Sequence, residues 1–135
     1  MATTATAAAT AEVTDVRVGT AAGYDRFVIQ FSGAVPGFTI TRQNNSNFTG
    51  DASGQQFTLQ GSGGLRVVVH GATAMDQGWQ ADYAPSYPEL REARQTGAFE
   101  GVFSWGLGVT APDGGCLRTM ILTGPDRLVI DLQQP

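Results

Sequence analysis

Aromatic and basic side chains gather in one irregular part of the sequence and just beyond it. The segment 71–87, GATAMDQGWQADYAPSY, follows neither a strand nor a helix period. Tyrosine and tryptophan combine an apolar ring with a polar tip, which suits stacking on sugars, and the planar guanidinium matches carboxylates. The candidate ligand-binding residues are therefore Trp79, Tyr83, Tyr87, Arg91, Arg94 and Trp105. The alternative interpretation is that Trp79 and Trp105 anchor the core or a loop.

Residues that could support catalysis are sparse. His70 is the single histidine and no serine lies in a Gly-x-Ser-x-Gly elbow, so a Ser–His mechanism lacks its parts. One histidine and one cysteine fall short of the three or four ligands of a zinc site. Two carboxylates near a sugar-binding cleft would suffice for a glycosidase, and Asp82, Glu92 and Glu100 are candidates whose positions relative to one another the sequence does not fix. We expect a protein without enzymatic activity, metal or cofactor.

A glycine pattern at 106–111, GLGVTA, formally matches the dinucleotide-binding motif. That motif works only where a helix begins, because the amide groups of the first helical turn face the pyrophosphate. The following residues 112–115, PDGG, prevent such a helix. We therefore interpret the match as accidental.

Charge and hydropathy argue against a nucleic-acid partner and against a transmembrane segment. The chain has eight basic and twelve acidic residues, and the eight arginines are scattered along the sequence. Nucleic-acid binding needs a concentrated basic patch, so we expect no nucleic-acid partner. No apolar run approaches the ~20 residues of a membrane-spanning helix, so we expect no transmembrane segment in this chain. The sequence leaves the oligomeric state open.

The single cysteine, Cys116, rules out a disulfide within the chain. It precedes the apolar run LRTMIL, a setting that predicts a small buried hydrophobic side chain.

The first eleven residues, MATTATAAATA, differ in composition from the rest. They lack both a basic start and a run of large aliphatic residues, so they do not form an intact signal peptide. We predict a disordered Ala/Thr leader over 1–11, left after removal of a signal, and a single β domain over 12–135.

Strand patterns alternate with turn signals through most of the domain. Residues 88–94, PELREAR, are the exception, because proline at the start, early glutamates and late arginines favour a helix. Glycines within 99–109 indicate a bulge or a close backbone approach, and the polar segment 43–54 is typical of a loop. The sequence predicts an all-β sandwich or open barrel of two small sheets with one short helix. The eight strand candidates are 13–18, 26–31, 38–41, 56–60, 65–70, 99–109, 117–122 and 127–132.

One stretch is nearly repeated near the two ends of the chain. Residues 24–31 are YDRFVIQF and residues 125–132 are PDRLVIDL. Alternation sends the large apolar residues of both copies to one core, and the reverse face carries Val28 and Val129. We expect Asp25 and Asp126 to cap their turns or to pair with the neighbouring arginine. The core residues predicted from the repeat are Phe27, Ile29, Phe31, Leu128, Ile130 and Leu132.

Motifs in a fixed order resemble a known family. VTDVRV, GYDRFVIQFSGAVPGFTI, FEGVFSWGLGV and PDRLVIDL, spread over residues 12–133, are similar to the AMIN-like domain of exported and lipoprotein-anchored actinobacterial proteins. They are more distantly similar to the AMIN domain. The resemblance implies a β-sandwich, an extracytoplasmic location (secreted, or anchored through a removed lipoprotein signal) and a non-catalytic envelope role. It brings no ligand residues with it, and neither an enzymatic domain nor a lipid-attachment cysteine accompanies these residues.

Three functions are compatible with these observations. The first is binding of cell-wall glycan or peptidoglycan, which Trp79→Ala would weaken. The second is assembly with an envelope protein through a sheet edge or the helix face. The third is binding of a small ligand between the sheets.

Overall fold

The protein is built almost entirely of antiparallel strands. The computed structural model describes residues 2–5, 10–50, 53–74 and 78–135. A six-stranded sheet has the order β1-β4-β7-β11-β10-β9, a five-stranded sheet has the order β12-β13-β3-β2-β8, and β5 and β6 form a separate hairpin. The strands are β1 (Ala2–Ala5), β2 (Ala11–Ala21), β3 (Tyr24–Phe31), β4 (Gly37–Gln43), β5 (Asn47–Thr49), β6 (Gln56–Thr58), β7 (Gly63–His70), β8 (Ala72–Thr73), β9 (Asp82–Tyr83), β10 (Leu90–Phe99), β11 (Val102–Val109), β12 (Leu117–Leu122) and β13 (Arg127–Gln133).

The two copies of the repeated stretch are β3 and β13, and they pair with each other. Phe27 lies opposite Ile130, and Ile29 lies opposite Leu128, in an antiparallel register. These four side chains are fully buried, and they belong to one core with residues from both large sheets. The predicted all-β fold and the predicted inward faces of the repeat are therefore confirmed. The core residues supplied by the six-stranded sheet include Phe38, Ile40, Leu65, Val67, Val69, Phe103, Trp105 and Leu107.

The predicted helix over 88–94 is wrong, because this segment leads into strand β10. The described residues contain no helix. The register of β10 against β11 shifts between Leu90 and Glu92 and again between Gln95 and Gly97. Each shift is a β-bulge, which adds one residue to the strand. Leu90 and Ala93 consequently both face the core although they are three positions apart, a spacing that is also typical of a helix.

The glycines of β7 and β11 allow the β5–β6 hairpin to lie on the outer face of the six-stranded sheet. A Cβ atom on Gly106 would come within 2.7 Å of the Phe48 ring, and one on Gly64 within 2.8 Å of it. The close backbone approach that the sequence predicts is confirmed. The segment 43–54, predicted as a loop, contains β5, and its residues 51–52 lie outside the described part of the chain.

Two further sequence expectations concern the ends of the domain. Ala2–Ala5 pairs with β4, and β2 begins at Ala11, whereas residues 1 and 6–9 of the expected leader lie outside the described residues. The expectation of a buried Cys116 is wrong, since this residue is exposed. The run that follows it is β12, an edge strand, so the residues around Cys116 are not enclosed between two neighbouring strands.

Candidate functional site

Two of the predicted site residues, Trp79 and Trp105, form part of the core, and Tyr83 is partly buried against it. Trp105 is fully buried and its ring lies 5.3 Å from that of Phe27, and Trp79 is 9% exposed and donates a 3.0 Å hydrogen bond to Gln95. Tyr83 stacks on Trp105 and donates a 2.6 Å hydrogen bond to the carbonyl of β2 residue 16. This burial favours the interpretation that the two tryptophans are core anchors.

The other three predicted residues, Tyr87, Arg91 and Arg94, do not lie together on one surface. Tyr87 is partly buried against the core, and Arg91 donates to its carbonyl oxygen at 3.0 Å. Arg94 places its guanidinium 4.7 Å from the centre of the Phe57 ring, on the outer face of the six-stranded sheet. The structure therefore brings Trp79, Tyr83 and Trp105 together inside the protein, and it leaves the arginines on the outside.

The carboxylates considered for glycosidase chemistry do not face each other across a gap. Burial raises the pKa of Glu92, and a hydrogen bond with Asp82 raises it further. Glu100 lies instead in the β10–β11 turn with a φ of 52°. Glycosidases need two carboxyl groups on opposite sides of the scissile bond, roughly 5–9.5 Å apart. Asp82 and Glu92 lie close enough to raise the pKa of Glu92, and Glu100 lies in a separate turn, so these carboxyl groups do not match that arrangement.

A different set of charged side chains converges on the outer face of the five-stranded sheet. In the register of this sheet, Arg118 on β12, Asp131 on β13 and Arg26 on β3 form one row. The neighbouring rows add an arginine from β2 and one from β13. We call this surface the arginine face; its arginines are Arg17, Arg26, Arg118 and Arg127, and its aspartates are Asp15 and Asp131.

Asp131 organises the centre of the arginine face. Its carboxylate is fully buried and accepts 2.7 and 2.9 Å hydrogen bonds from Arg26 and a 3.1 Å bond from Arg118. The hydrogen bond from Arg26 is the main cause that lowers the pKa of Asp131, and burial opposes it. Arg118 also stacks on Tyr24, with 3.9 Å between its guanidinium carbon and the ring centre. One buried carboxylate thus holds two guanidiniums in fixed orientations at the surface.

The partners of the other two arginines of this face are a more exposed carboxylate and uncharged groups. Arg17 bonds Asp15 at 2.9 Å and Gln30 at 3.0 Å, and the Asp15 side chain is 41% exposed. Arg127 donates to the backbone carbonyls of Thr123 and Pro125. The arginine face therefore carries more positive than negative charge although the whole chain has a net charge of −4.

A second concentration of polar groups lies at one end of the sandwich. The fully buried carboxylate of Asp25 accepts hydrogen bonds from the backbone N–H groups of Glu89 and Leu90 and from the Gln134 side chain. Glu89 is 3% exposed and its side chain lines a cleft of about 420 Å³ between the 110–116 loop and residues 133–135. Asp25 therefore neither caps its own turn nor pairs with its neighbour Arg26, which differs from the expectation.

Comparison with known protein families shows to which family the chain belongs. The AMIN-like domain family matches residues 11–134. The chain belongs to this family. No curated protein and no solved structure matches the chain. The resemblance seen in the sequence motifs is confirmed, whereas an actinobacterial origin stays a prediction. Membership indicates a non-catalytic module related to the cell wall, of a kind typically found outside the cytoplasm.

The described part of this AMIN-like domain offers neither a metal site nor a membrane-spanning helix. Among the described residues, no group of three or more His, Cys, Asp or Glu side chains could hold a metal ion. The same residues include no helix that is long and apolar enough to cross a bilayer.

The arginine face of the AMIN-like domain is not apparent in the sequence, because its members are far apart in the chain. The signal was present in the repeat, where each copy carries an Asp-Arg pair at the start of a strand. What the repeat did not reveal is that Arg26 of the first copy pairs with Asp131 of the second, which requires the antiparallel register.

Proposed function

We propose that this AMIN-like domain is a non-catalytic cell-envelope module that binds carboxylate groups of the cell wall through its arginine face. Peptidoglycan stem peptides are the ligand class, and the location is outside the cytoplasm, after secretion or lipid anchoring. The observation that carries the proposal is the placement of four of the eight arginines on one sheet face of an acidic chain.

The geometry of the two central arginines supports carboxylate binding. Arg26 and Arg118 both use Nε and Nη2 for Asp131, so Nη1 of each guanidinium is outside that set of contacts. The Arg26 side chain is 34% exposed and that of Arg118 is 50% exposed. Guanidiniums that are already oriented lose little conformational entropy when they bind a planar carboxylate. The arginine face is therefore preorganised for ligands with several carboxylates.

Electrostatics explains why the wall would dock on this face and not on another. Because the chain as a whole is acidic, an anionic polymer is repelled from most of its surface and attracted to the arginine face. Contacts between exposed charges weaken as salt screens them. The proposed interaction is consequently salt-sensitive.

Co-sedimentation tests the proposal. The purified domain is mixed with peptidoglycan that has been stripped of phosphate polymers, and with the same material after its carboxylates are converted to amides. We expect the domain to pellet with the untreated peptidoglycan, to be released by salt, and to stay soluble with the amidated material. Equal pelleting with both materials would contradict carboxylate recognition.

Assembly with an envelope protein is the second candidate, and the edge strand β12 favours it. β12 is a six-residue edge strand with a regular register against β13, and its Ile121 is 55% exposed. Regular, exposed apolar edges accept an additional strand from a partner. This function predicts no pelleting with peptidoglycan and a specific partner in a pull-down from envelope extract, which Ile121→Asp should abolish.

A further inference from the structure

The outer strand of the five-stranded sheet, β12, has an edge that lacks the usual protection against pairing. It pairs with β13 on one side, and no described strand lies on its other side. Proteins commonly shield such an edge with a very short strand, a bulge, a proline or a charged side chain. β12 is six residues long, keeps one register throughout and contains no proline. The other edges of the two large sheets are shorter, since β8 and β9 have two residues each and β1 has four.

The only charged side chain of β12 is turned away from the free edge. Arg118 donates to Asp131 on the neighbouring strand at 3.1 Å. Its guanidinium carbon lies 3.9 Å from the centre of the Tyr24 ring, which belongs to β3, the strand beyond β13. Arg118 therefore leans over the sheet and leaves the edge without a charge that would repel another strand.

The hydrogen bonds to β13 show which backbone groups of β12 face outward. The N–H of Gln133 donates to the carbonyl oxygen of Cys116 at 2.9 Å. In an antiparallel pair, hydrogen-bonded positions alternate with positions whose N–H and C=O groups point the other way. Along the regular register from Cys116, the backbone groups of Leu117, Thr119 and Ile121 consequently point to the free edge. Their side chains share the inner face of the sheet, because they lie opposite core residues of β13, and Ile121 is 55% exposed there.

We propose that β12 pairs with β12 of a second copy of the chain, antiparallel and around a two-fold axis at Thr119. A two-fold interface requires an edge that is complementary to itself. In this register Leu117 of each copy lies opposite Ile121 of the other, and Thr119 lies opposite Thr119. Each of these pairs consists of positions with free backbone groups, so each can exchange two hydrogen bonds. Apolar pairs and threonine pairs are also favourable across strands.

The fit of the edge to itself favours a second copy over an unrelated strand. Arg118 lies opposite Met120 of the other copy, so no like charges face each other directly. The exposed part of Ile121 is covered by Leu117 of the other copy. The two arginine faces become neighbours on one continuous sheet surface, although the pairing itself does not depend on wall binding. A single pair of short strands buries less than the roughly 1,200 Å² of a stable complex, so we expect a weak dimer with a micromolar Kd.

Analytical ultracentrifugation of the chain under reducing conditions tests the pairing. We expect a monomer–dimer equilibrium that moves to dimer as the protein concentration rises through the micromolar range. Thr119→Lys places two like charges opposite each other only in the dimer, so it should weaken dimerisation at least tenfold. Thr73→Lys is the matched control, because Thr73 is an exposed threonine on β8, the other edge strand of the same sheet. We expect Thr73→Lys to dimerise as the wild type does.

Disulfide cross-linking tests the register, with Cys116→Ser as the background of both variants. The Cα atoms of a hydrogen-bonded antiparallel pair are about 5.5 Å apart, within the range of a disulfide. Thr119→Cys should therefore form a covalent dimer on mild oxidation. Ile121→Cys is the control, since its two copies would lie more than about 13 Å apart in the dimer.

Three results would overturn the proposal. A chain that stays monomeric over this concentration range would leave the edge to an envelope protein, the partner of the second candidate function. Unchanged dimerisation in Thr119→Lys, or equal cross-linking of Ile121→Cys and Thr119→Cys, would also contradict it. If Thr119→Lys does not fold, the cross-linking comparison decides.

Discussion

The carboxylate of Asp25 on β3 accepts a 2.7 Å hydrogen bond from the backbone N–H of Glu89, at the start of the opposite sheet. The same oxygen accepts the N–H of Leu90 at 2.9 Å, and the other oxygen accepts the Gln134 side chain. Because Asp25 is fully buried, these bonds compensate the loss of water around its charge. Asp25 thus joins the two large sheets at one end of the sandwich.

Removing this connection should destabilise the fold strongly. Asp25→Ala leaves two buried backbone donors unpaired, and we expect the free energy of unfolding to fall by about 3 kcal/mol or more. Asp126→Ala is the matched control, because Asp126 occupies the same position in the second copy of the repeat and its side chain accepts no hydrogen bond from the described residues. We expect a change below about 1 kcal/mol there. Urea unfolding measures both, and similar losses would contradict this role of Asp25.

The pKa of Asp131 predicts a loss of stability in acid. Its hydrogen bond with Arg26 holds its pKa below the ordinary value of 3.8. The folded protein therefore binds this proton more weakly than the unfolded chain, so the stabilisation is present above about pH 4 and is lost as the pH falls below it. Asp131→Asn should flatten this acid dependence and cost about 3 kcal/mol or more at neutral pH, because Arg26 and Arg118 lose their shared partner. Urea unfolding across a pH series measures this dependence. The prediction is refuted if the free energy of unfolding of the variant falls with decreasing pH as steeply as that of the wild type.

Glycine spacing in β11 predicts where added volume is not tolerated. A Cβ atom on Gly108 would overlap the carbonyl oxygen of Gln60, and one on Gly106 would press on the Phe48 ring. We expect Gly108→Ala to cost about 2–3 kcal/mol, because the Gln60 backbone must move. Gly19→Ala is the control, since a Cβ atom there meets nothing within 4 Å. Thermal unfolding of the two variants should separate them, and equal melting temperatures would argue against close packing of the Gln60 backbone on β11.

The all-β fold and the core of the repeat were predictable from the sequence because alternation of apolar residues reports directly on burial. The predicted helix failed because two bulges in β10 give its buried residues a spacing of three. Residues 88–94, PELREAR, carry no local signal that distinguishes a bulged strand from a helix. The extent of the edge strands also depends on pairing between distant segments, which a single sequence does not reveal.

The candidate site was less predictable than the fold. Aromatic residues in an irregular segment suggested a ligand surface, yet Trp79 and Trp105 pack on Phe103 in the interior. Whether a ring faces solvent or the core is decided by how the segment 71–87 folds back on the sheets. The arginine face, in contrast, arises from the pairing of β12, β13, β3 and β2, so its members approach each other only in the folded chain.

Trp79 distinguishes a core role from sugar stacking. Its ring meets that of Phe103 edge-on at 5.9 Å, an arrangement that phenylalanine can largely preserve. We expect Trp79→Phe to lower the stability by about 1–2 kcal/mol and to leave pelleting with peptidoglycan unchanged. A folded Trp79→Phe variant that no longer pellets would restore Trp79 as a ligand-binding residue.

We propose that the arginine face, and not the arginines on the other sheet, binds wall carboxylates. Arg118 and Arg127 have matched counterparts in Arg94 and Arg91. Arg118 and Arg94 each stack on an aromatic ring, and Arg127 and Arg91 each donate to two backbone carbonyls.

The most direct measurement is therefore the affinity for peptidoglycan of two double variants with the same charge change. We predict that Arg118→Gln/Arg127→Gln binds at least tenfold more weakly than the wild type, about 1.4 kcal/mol. Arg91→Gln/Arg94→Gln should bind as the wild type does. Equal weakening in both variants, or weakening only in Arg91→Gln/Arg94→Gln, would contradict the account.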